Sequence, residues 1–258
     1  MKIIACIKQV PDSEAKVKAE NGQVTWGDAP LVINPFDEYA VEGALQQKEA
    51  HGGTVIALCI GPESAREALK HALAMGADEA VLVSDAALGA LDTVGAARVL
   101  AAAINKIGGA DMVMFGRQTL DDGSGVTAAQ TARLLGWPML GLVGHIKVEG
   151  PSGNVQVSRV IEEGRQNVSA KLPAVLSLVQ SIGEPRYPSF MGIRKASKAE
   201  IPVWSLNDLG VGAPASIVTR AELITPPSRE VTCEIITGES PAEIADKLAD
   251  KILAEKVL

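Results

Sequence analysis

The chain has 258 residues, of which 47% are hydrophobic and 21% charged, so it can build a sizeable core. Its 24 Lys plus Arg against 31 Asp plus Glu leave a formal charge of −7, and aromatic residues make up 3%. That balance excludes global disorder and gives no basis for general nucleic-acid or anionic-membrane binding. The length allows one large domain, or one domain with appendages.

The start, Met1-Lys2-Ile3-Ile4-Ala5-Cys6-Ile7-Lys8, has too short an apolar run for a signal peptide. No stretch reaches the roughly eighteen uninterrupted apolar residues of a membrane span. Cys6, Cys59 and Cys233 lie far apart without Cys-x-x-Cys spacing, which fits neither a zinc site nor a disulfide framework. The expectation is a soluble protein of the cytoplasm.

The first half alternates between two patterns. Ile3 to Ile7 is wholly apolar, as in a strand covered on both faces. Asn34 and Pro35 open a helix as N-cap and first helical residue, and Gly52-Gly53 stops it. Thr54 to Ile60 is a second buried strand. Pro62 starts a second helix ending at Met75-Gly76, and Ala80 to Val83 is a third strand. Asp92 caps a third helix that ends at Gly108-Gly109. Asp111 to Phe115 is a fourth strand, with a fourth helix to about Leu135. This β-α-β-α-β-α-β-α order predicts an α/β fold: a doubly wound, mainly parallel sheet with helices on both faces. Ligands of such sheets bind at the carboxyl ends of the strands, so the candidate loops are Lys8–Ser13, Ile60–Glu63 and Gly116–Val126.

The pattern then changes. Leu140–Val148 and Val155–Ile161 read as strands joined by a turn at Gly150-Pro151-Ser152-Gly153, and Ala174–Val179 is another apolar run. After Gly183 the chain reads as irregular and basic. Residues 205–230 read as an extended arm, and Glu243 to Val257 as a closing amphipathic helix. The expected division is an adenine-nucleotide-binding α/β domain over 1–200 and a C-terminal arm and helix over 201–258.

The loop after the first strand lacks G-x-G-x-x-G, and the chain has neither a G-x-x-x-x-G-K-[ST] phosphate loop nor a G-x-S-x-G elbow. His51, His71 and His145 form no metal-spaced set. The informative loop is Gly116-Arg117-Gln118-Thr119-Leu120-Asp121-Asp122-Gly123-Ser124-Gly125-Val126-Thr127. Its small residues allow close backbone approach and its helix start suits a phosphate, with Asp121 or Asp122 accepting from ribose hydroxyls. The alternative is an ordinary helix capped by Ser124 or Asp122. A second segment, Glu184 to Ile193, holds Arg186, Tyr187, Phe190 and Met191, residue types enriched at interface cores. Phe190 there is either an exposed anchor or a side chain folded back onto the domain.

Several segments together resemble the β subunit of electron-transfer flavoproteins. They are Cys6 to Asp12, Ile33-Asn34-Pro35-Phe36-Asp37-Glu38-Tyr39-Ala40-Val41-Glu42, Ala72 to Asp78, Gly116-Arg117-Gln118, Arg159 to Val175 and Glu184-Pro185-Arg186-Tyr187. The likeness runs in order from residue 3 to Asp208-Leu209-Gly210. The resemblance implies a heterodimer with an α subunit whose mobile domain holds the redox FAD. Electrons then pass from acyl-CoA dehydrogenases and related flavoenzymes towards a quinone reductase, as in fatty acid oxidation. The β subunit is an electron-carrier subunit rather than a self-contained enzyme, with no catalytic residue and no metal.

By the same resemblance its nucleotide site holds AMP structurally. The site comprises Cys6, Ile7, Lys8, Asn34, Ile60, Gly61, Gly116, Arg117, Gln118, Asp121, Asp122, Gly123, Ser124, Gly125, Val126 and Thr127. Residues 184–198 resemble the family's recognition loop, in which an apolar residue, usually leucine, plugs into the dehydrogenase. Phe190 takes that position with Met191 beside it, and Glu184, Arg186, Tyr187, Ile193 and Lys195 complete the partner-binding set. Lys195 and Lys198 either steer acidic partners or solvate the helix behind the loop.

The sequence departs from the family in places. Electron-bifurcating members hold a second FAD, reduced by NADH, in place of AMP and typically read Asp-Gly-Asp-Thr-Ala-Gln where this chain reads Asp121 to Val126. AMP-binding members carry several aspartates and then Asn-Gln-Thr, of which Asp121, Asp122 and Thr127 match. Pro188 to Ile193 looks nearer to proteins of anaerobes, where bifurcation is common, whereas Gly123 removes the second acidic position, so the expectation is AMP. Val160 and Ser13 stand where members often place a Glu and an aromatic near the α-subunit flavin. A third reading is a stand-alone adenine-nucleotide-binding module. The Pro-containing arm argues against it, because an arm without its own core needs a partner to wrap.

Overall fold

The computed structural model describes all residues except Asn21, Ala90, 150–152, 219–220, Pro226, 228–232 and 256–258. The chain divides into two compact units, Met1–Glu222 and Leu223–Leu258. Among the described residues no helix is long and apolar enough to cross a membrane.

The first unit is built on a sheet that starts with β1 (Lys2–Ile7), buried from Ile3 onward. Two short antiparallel pairs follow that the sequence pattern does not announce: β2 (Gln9–Pro11) with β5 (Leu31–Ile33), and β3 (Lys18–Glu20) with β4 (Gln23–Thr25). Helix α1 (Pro35–His51) leads to β6 (Thr54–Ile60). Pro62 opens a single 3-10 turn, Glu63–Ala65, and α2 proper (Arg66–Met75) begins after it, later than expected. Next come β7 (Glu79–Val83), α3 (Thr93–Ile107), β8 (Met112–Gly116) and α4 (Thr127–Leu135). Gly52, Gly76 and Gly108 end α1, α2 and α3 at positive φ, where a side chain is strained.

The second half supplies β9 (Met139–Glu149), β10 (Asn154–Ile161), β11 (Gly164–Lys171), β12 (Ala174–Leu178), α5 (Phe190–Ala196) and β13 (Val203–Trp204). Residues 150–152 of the expected Gly150–Gly153 turn lie outside the described residues. Strand β11 and helix α5 correct the sequence reading. β11 is a largely exposed edge strand, so the apolar alternation that marks a half-buried strand is missing. α5 is only seven residues long and is nucleated by Ser189, whose hydroxyl accepts from the Gly192 N–H at 2.9 Å.

The nine strands run in the order β11-β10-β9-β12-β8-β1-β6-β7-β13. Strands β12, β8, β1, β6, β7 and β13 pair in parallel, and β9-β10-β11 form an antiparallel extension. The pleat splits β1 between two cores. Ile3, Ala5 and Ile7 pack with α1 and α2, whereas Ile4 and Cys6 pack with α3 and α4. Both faces are therefore covered, as the apolar run of β1 requires. The winding goes from β1 out to β6 and β7, then returns to β8 on the other side of β1. That reversal places a topological switch between β1 and β8.

From Ser205 to Glu222 the described arm residues form no strand or α-helix, and Leu206, Leu209 and Val211 pack on the α3-side core. Residues 219–220, 226 and 228–230 of the expected arm lie outside the described residues. The second unit contains α6 (Pro241–Ala254), capped by Ser240. The expected helix end at Val257 lies outside the described residues.

Segment 184–198 is fastened to the first unit by Arg186. Its guanidinium donates to Glu42 Oε2 at 2.8 Å and Oε1 at 3.1 Å, and to both carboxylate oxygens of Glu49, all on α1. Burial pushes the Glu42 carboxyl up, but the hydrogen bonds from Arg186 and Gln46 outweigh it and hold the carboxyl below its ordinary range. Arg186→Met leaves Glu42 buried without a counter-charge. The variant is expected to lose about 2 kcal/mol of stability at pH 7, and the loss shrinks as pH falls and Glu42 is protonated. Urea melts at pH 7 and pH 4 check this, and an equal loss at both values refutes it.

Candidate functional site

A cavity of about 500 Å³ opens at the carboxyl ends of β1, β6 and β8, beside the switch point. Its floor is Cys6 and Ile7 at the end of β1 with Lys8 just after it, Ile60 at the end of β6 with Gly61 just after it, and Phe115 and Gly116 of β8. Leu88, Leu91, Ala96, Leu100 and Ala128 supply apolar lining. Arg117, Gln118, Thr119, Asp122, Ser124, Gly125 and Thr127 supply polar lining. The volume lies within the roughly 300–1,000 Å³ of small-molecule sites.

Asp37, in the first turn of α1, sets the floor. Its Oδ2 accepts from the Lys8 N–H at 2.8 Å and its Oδ1 from the Gly116 N–H at 3.2 Å, joining the ends of β1 and β8. A Cβ on Gly116 would sit 2.5 Å from Asp37 Oδ1 and 2.5 Å from the Phe36 carbonyl oxygen, so only glycine fits. Burial pushes the Asp37 carboxyl up to about 7, against hydrogen bonds from Asn34, Lys8 and Gly116 and the Lys8 charge.

The β8–α4 loop is anchored by two groups. Asn34 occupies the N-cap position of α1, yet its side chain makes no cap bond there. Instead Nδ2 donates to the Gln118 carbonyl at 2.9 Å and Oδ1 accepts from the Leu120 N–H at 3.1 Å. Lys8 Nζ reaches both oxygens of Asp121, at 2.9 and 2.6 Å, and lies 3.6 Å from Asp122. Asp122 accepts from the Thr119 hydroxyl at 2.8 Å and the Ser124 N–H at 2.9 Å. Burial raises its pKa, but these bonds and Lys8 leave it below the usual range. Gly123 and Gly125 hold φ of 64° and 59°, conformations that favour glycine.

Helix α4 starts after Val126 with no side-chain cap. Neither Ser124 nor Asp122 caps it, which removes the ordinary-cap reading. Ser124, Gly125, Thr127 and Ala128 line the cavity, so the uncapped start of the helix presents donors and the positive end of its dipole there. Apolar side chains and an open, glycine-rich helix start in one cavity form a combination that could take an adenine base and a phosphate. Burial pushes the thiol of the lining residue Cys6 well above its usual value, and that of the fully buried Cys59 up to about 12, which disfavours the thiolate at both. Among the described residues no group of three or more His, Cys, Asp or Glu is placed to hold a metal.

Residues 24–209 match the family model described as the electron transfer flavoprotein domain. The chain is 36% identical to the caffeyl-CoA reductase-Etf complex subunit CarD of Acetobacterium woodii, with 100% of both chains covered. It is 34% identical to the electron transfer flavoprotein subunit beta of Megasphaera elsdenii, again over 100% of each. It is also 34% identical to that of Bacillus subtilis, over 99% of this chain and 98% of the relative. The chain belongs to the electron transfer flavoprotein β-subunit family.

In this electron transfer flavoprotein β chain the cavity gathers Cys6, Ile7, Lys8, Ile60, Gly61, Gly116, Arg117, Gln118, Asp122, Ser124, Gly125 and Thr127 of the expected set. Asn34, Asp121, Gly123 and Val126 do not line it; Asn34 and Asp121 brace the loop from behind. Sequence reasoning missed Asp37 as a wall residue, although it stands in the motif Asn34-Pro35-Phe36-Asp37. It also missed Leu88, Leu91, Ala96, Leu100 and Phe115, which carry no signal beyond being apolar. Asp92, a helix cap by sequence, caps α3 and also lines the cavity.

The second candidate surface is α5 and the residues before it. Tyr187, Phe190, Met191 and Ile193 are 91%, 80%, 68% and 53% exposed, so Phe190 does not fold back onto the domain. Gly192 lets α5 seat directly on α2, where a Cβ would strike the Ala74 carbonyl oxygen. Glu184 and Lys195 are exposed beside this patch, whereas Arg186 faces α1.

Asp37 titrates near 3.8 in an unfolded chain and near 7 here. Between those values the folded chain holds a proton that the unfolded chain has released. Stability from this group is therefore full below about pH 4 and is lost as pH rises through 7. In Asp37→Asn that slope disappears. From pH 5 to pH 8 the variant should gain on the order of 2 kcal/mol relative to the wild type in urea titrations. A constant difference across that range refutes the shifted carboxyl.

Proposed function

We propose that this chain is the β subunit of a heterodimeric electron transfer flavoprotein, holding AMP in the cavity and docking a dehydrogenase through the patch around Phe190. The observation that carries the reading is the uncapped start of α4 behind the Gly123-Ser124-Gly125 turn, in a cavity that apolar side chains also line. The Ser124, Gly125 and Thr127 region would hold the phosphate, and Leu88, Leu91, Leu100 and Phe115 would enclose the base. Lys8 offsets one of the two negative charges of Asp121 and Asp122 and so lessens their repulsion of the phosphate. AMP in this role supplies no redox chemistry; it fills and stiffens the strand ends.

FAD, held mainly by the partner α subunit, supplies the redox chemistry of the complex. This chain contributes a rigid base and a docking point. An exposed apolar anchor on a short capped helix gives specificity through a small contact, so the dehydrogenase can leave quickly. One full-length relative is named as a subunit of a caffeyl-CoA reductase–Etf complex, which supports a redox enzyme of CoA esters as the partner, and we take an acyl-CoA dehydrogenase-type flavoenzyme as the electron donor. A quinone reductase or similar acceptor then takes the electrons.

Co-expression with the α subunit, denaturation and chromatographic quantitation should give one FAD and one AMP per heterodimer. Two FAD and no AMP would overturn the AMP assignment and make this chain part of an NADH-oxidising, bifurcating enzyme. Replacing Phe190 with Ala should raise the dehydrogenase concentration for half-maximal flavin reduction roughly 10- to 30-fold while FAD content and heterodimer yield stay unchanged. Unchanged stopped-flow kinetics would remove Phe190 as the anchor.

A further inference from the structure

One side of the cavity is the connection between β7 and α3, which contributes Leu88, Gly89, Leu91 and Asp92 to its lining. This connection is stitched to the arm that follows β13. The Ser84 N–H donates to the Trp204 carbonyl at 2.9 Å. Two aspartates then bridge the same pair of segments in the same way. Asp85 Oδ1 caps the short turn Ala86–Leu88 by accepting from the Ala87 N–H at 3.0 Å, and its Oδ2 accepts from the Leu206 N–H at 3.2 Å. Asp92 Oδ1 caps α3 by accepting from the Gly95 N–H at 2.7 Å. Its Oδ2 accepts from the arm N–H groups of Ile217 at 2.7 Å and Val218 at 3.2 Å.

The two ends of the arm are held differently. Leu206, Leu209 and Val211 are packed on the core. Ile217 and Val218 are 68% and 66% exposed, and apolar packing does little to hold them. Pro214 touches the same corner, 3.6 Å from where a Cβ on Gly95 would stand. The backbone donors of Gly95, Ile217 and Val218 also keep the Asp92 carboxyl below its usual range.

We propose that Asp92 is a latch joining the nucleotide cavity to the arm, so that filling the cavity orders residues 211–218. The inference rests on the cavity taking an adenine nucleotide. A ligand against Leu88 and Leu91 restrains the connection and thereby fixes the direction of Asp92, whose free oxygen then holds the arm. By linkage the reverse holds: restraint of the arm by a bound partner strengthens nucleotide binding by the same factor. Asp92 is in this sense a positioning residue, and the arm a regulatory element of the site.

Hydrogen exchange on the full-length chain, stripped of nucleotide and then saturated with AMP, tests the latch. AMP should slow exchange of peptides covering 211–218 at least ~5-fold. Asp92→Ser keeps a hydroxyl for the Gly95 N–H but leaves no acceptor for Ile217 and Val218, so the arm's response should vanish at saturating AMP. Ile217→Pro removes a donor on the arm without touching the cavity wall and should weaken AMP binding ~5-fold in calorimetry. If AMP binds but arm exchange does not change, or if Ile217→Pro binds AMP as tightly as wild type, the latch is overturned and the nucleotide reading stands. If the wild type does not bind AMP, both fall.

Discussion

The carboxylate of Asp37 sits at the point where the chain reverses its winding direction, bonded to the backbone N–H groups of Lys8 and Gly116. It belongs to the first turn of α1, where the helix dipole favours a negative charge. Its partners lie at the ends of neighbouring strands, so one side chain fixes the relative position of a helix and two strands. Gly116 makes the arrangement possible, because any side chain there would strike Phe36 and Asp37. The cavity opens beside this junction, and its floor is therefore as rigid as the sheet.

Polar groups around the cavity are mostly engaged with one another. Lys8 faces two aspartates, Asn34 holds two backbone groups of the loop, and Asp122 closes a turn on Ser124. The donors that line the cavity include the loop backbone, the first turn of α4, which lacks a cap, and the side chains of Arg117 and Gln118. Backbone N–H groups at an open helix start suit an anion without a basic cluster. That agrees with a chain of net charge −7.

The exposed apolar patch depends on an ion group in which Glu42 is buried and Glu49 is exposed. Arg186 ties the segment to α1 through Glu42 and Glu49, and Gly192 presses α5 onto α2. Four apolar side chains are thus presented from a fixed base. Pre-ordering of that kind lowers the entropy lost when a partner binds. The arm contrasts with it, being packed at Leu206 to Val211 and held by backbone bonds to one aspartate at Ile217 and Val218.

The apolar runs of β1, β6 and β8 and the glycines after α1, α2 and α3 were legible in the chain, because local periodicity and positive φ are properties of neighbouring residues. The same holds for the glycine-rich loop before α4 and for the cap at Asp92. Helix α5 and strand β11 were not legible, since one is too short and the other too exposed to show a period. The choice between a capped helix start and an open one was left undecided by Ser124 and Asp122, either of which is a good cap. Folding decided it by engaging Asp122 with Thr119 and Ser124 and leaving Val126 at the cap position. Asn34 shows the same limit: an N-cap by position, it bonds a loop more than eighty residues away. Sequence determined the elements and their order through short-range sterics and burial. Only the tertiary structure decided which polar group meets which, because those partners are brought together by the crossing of the chain at the switch point.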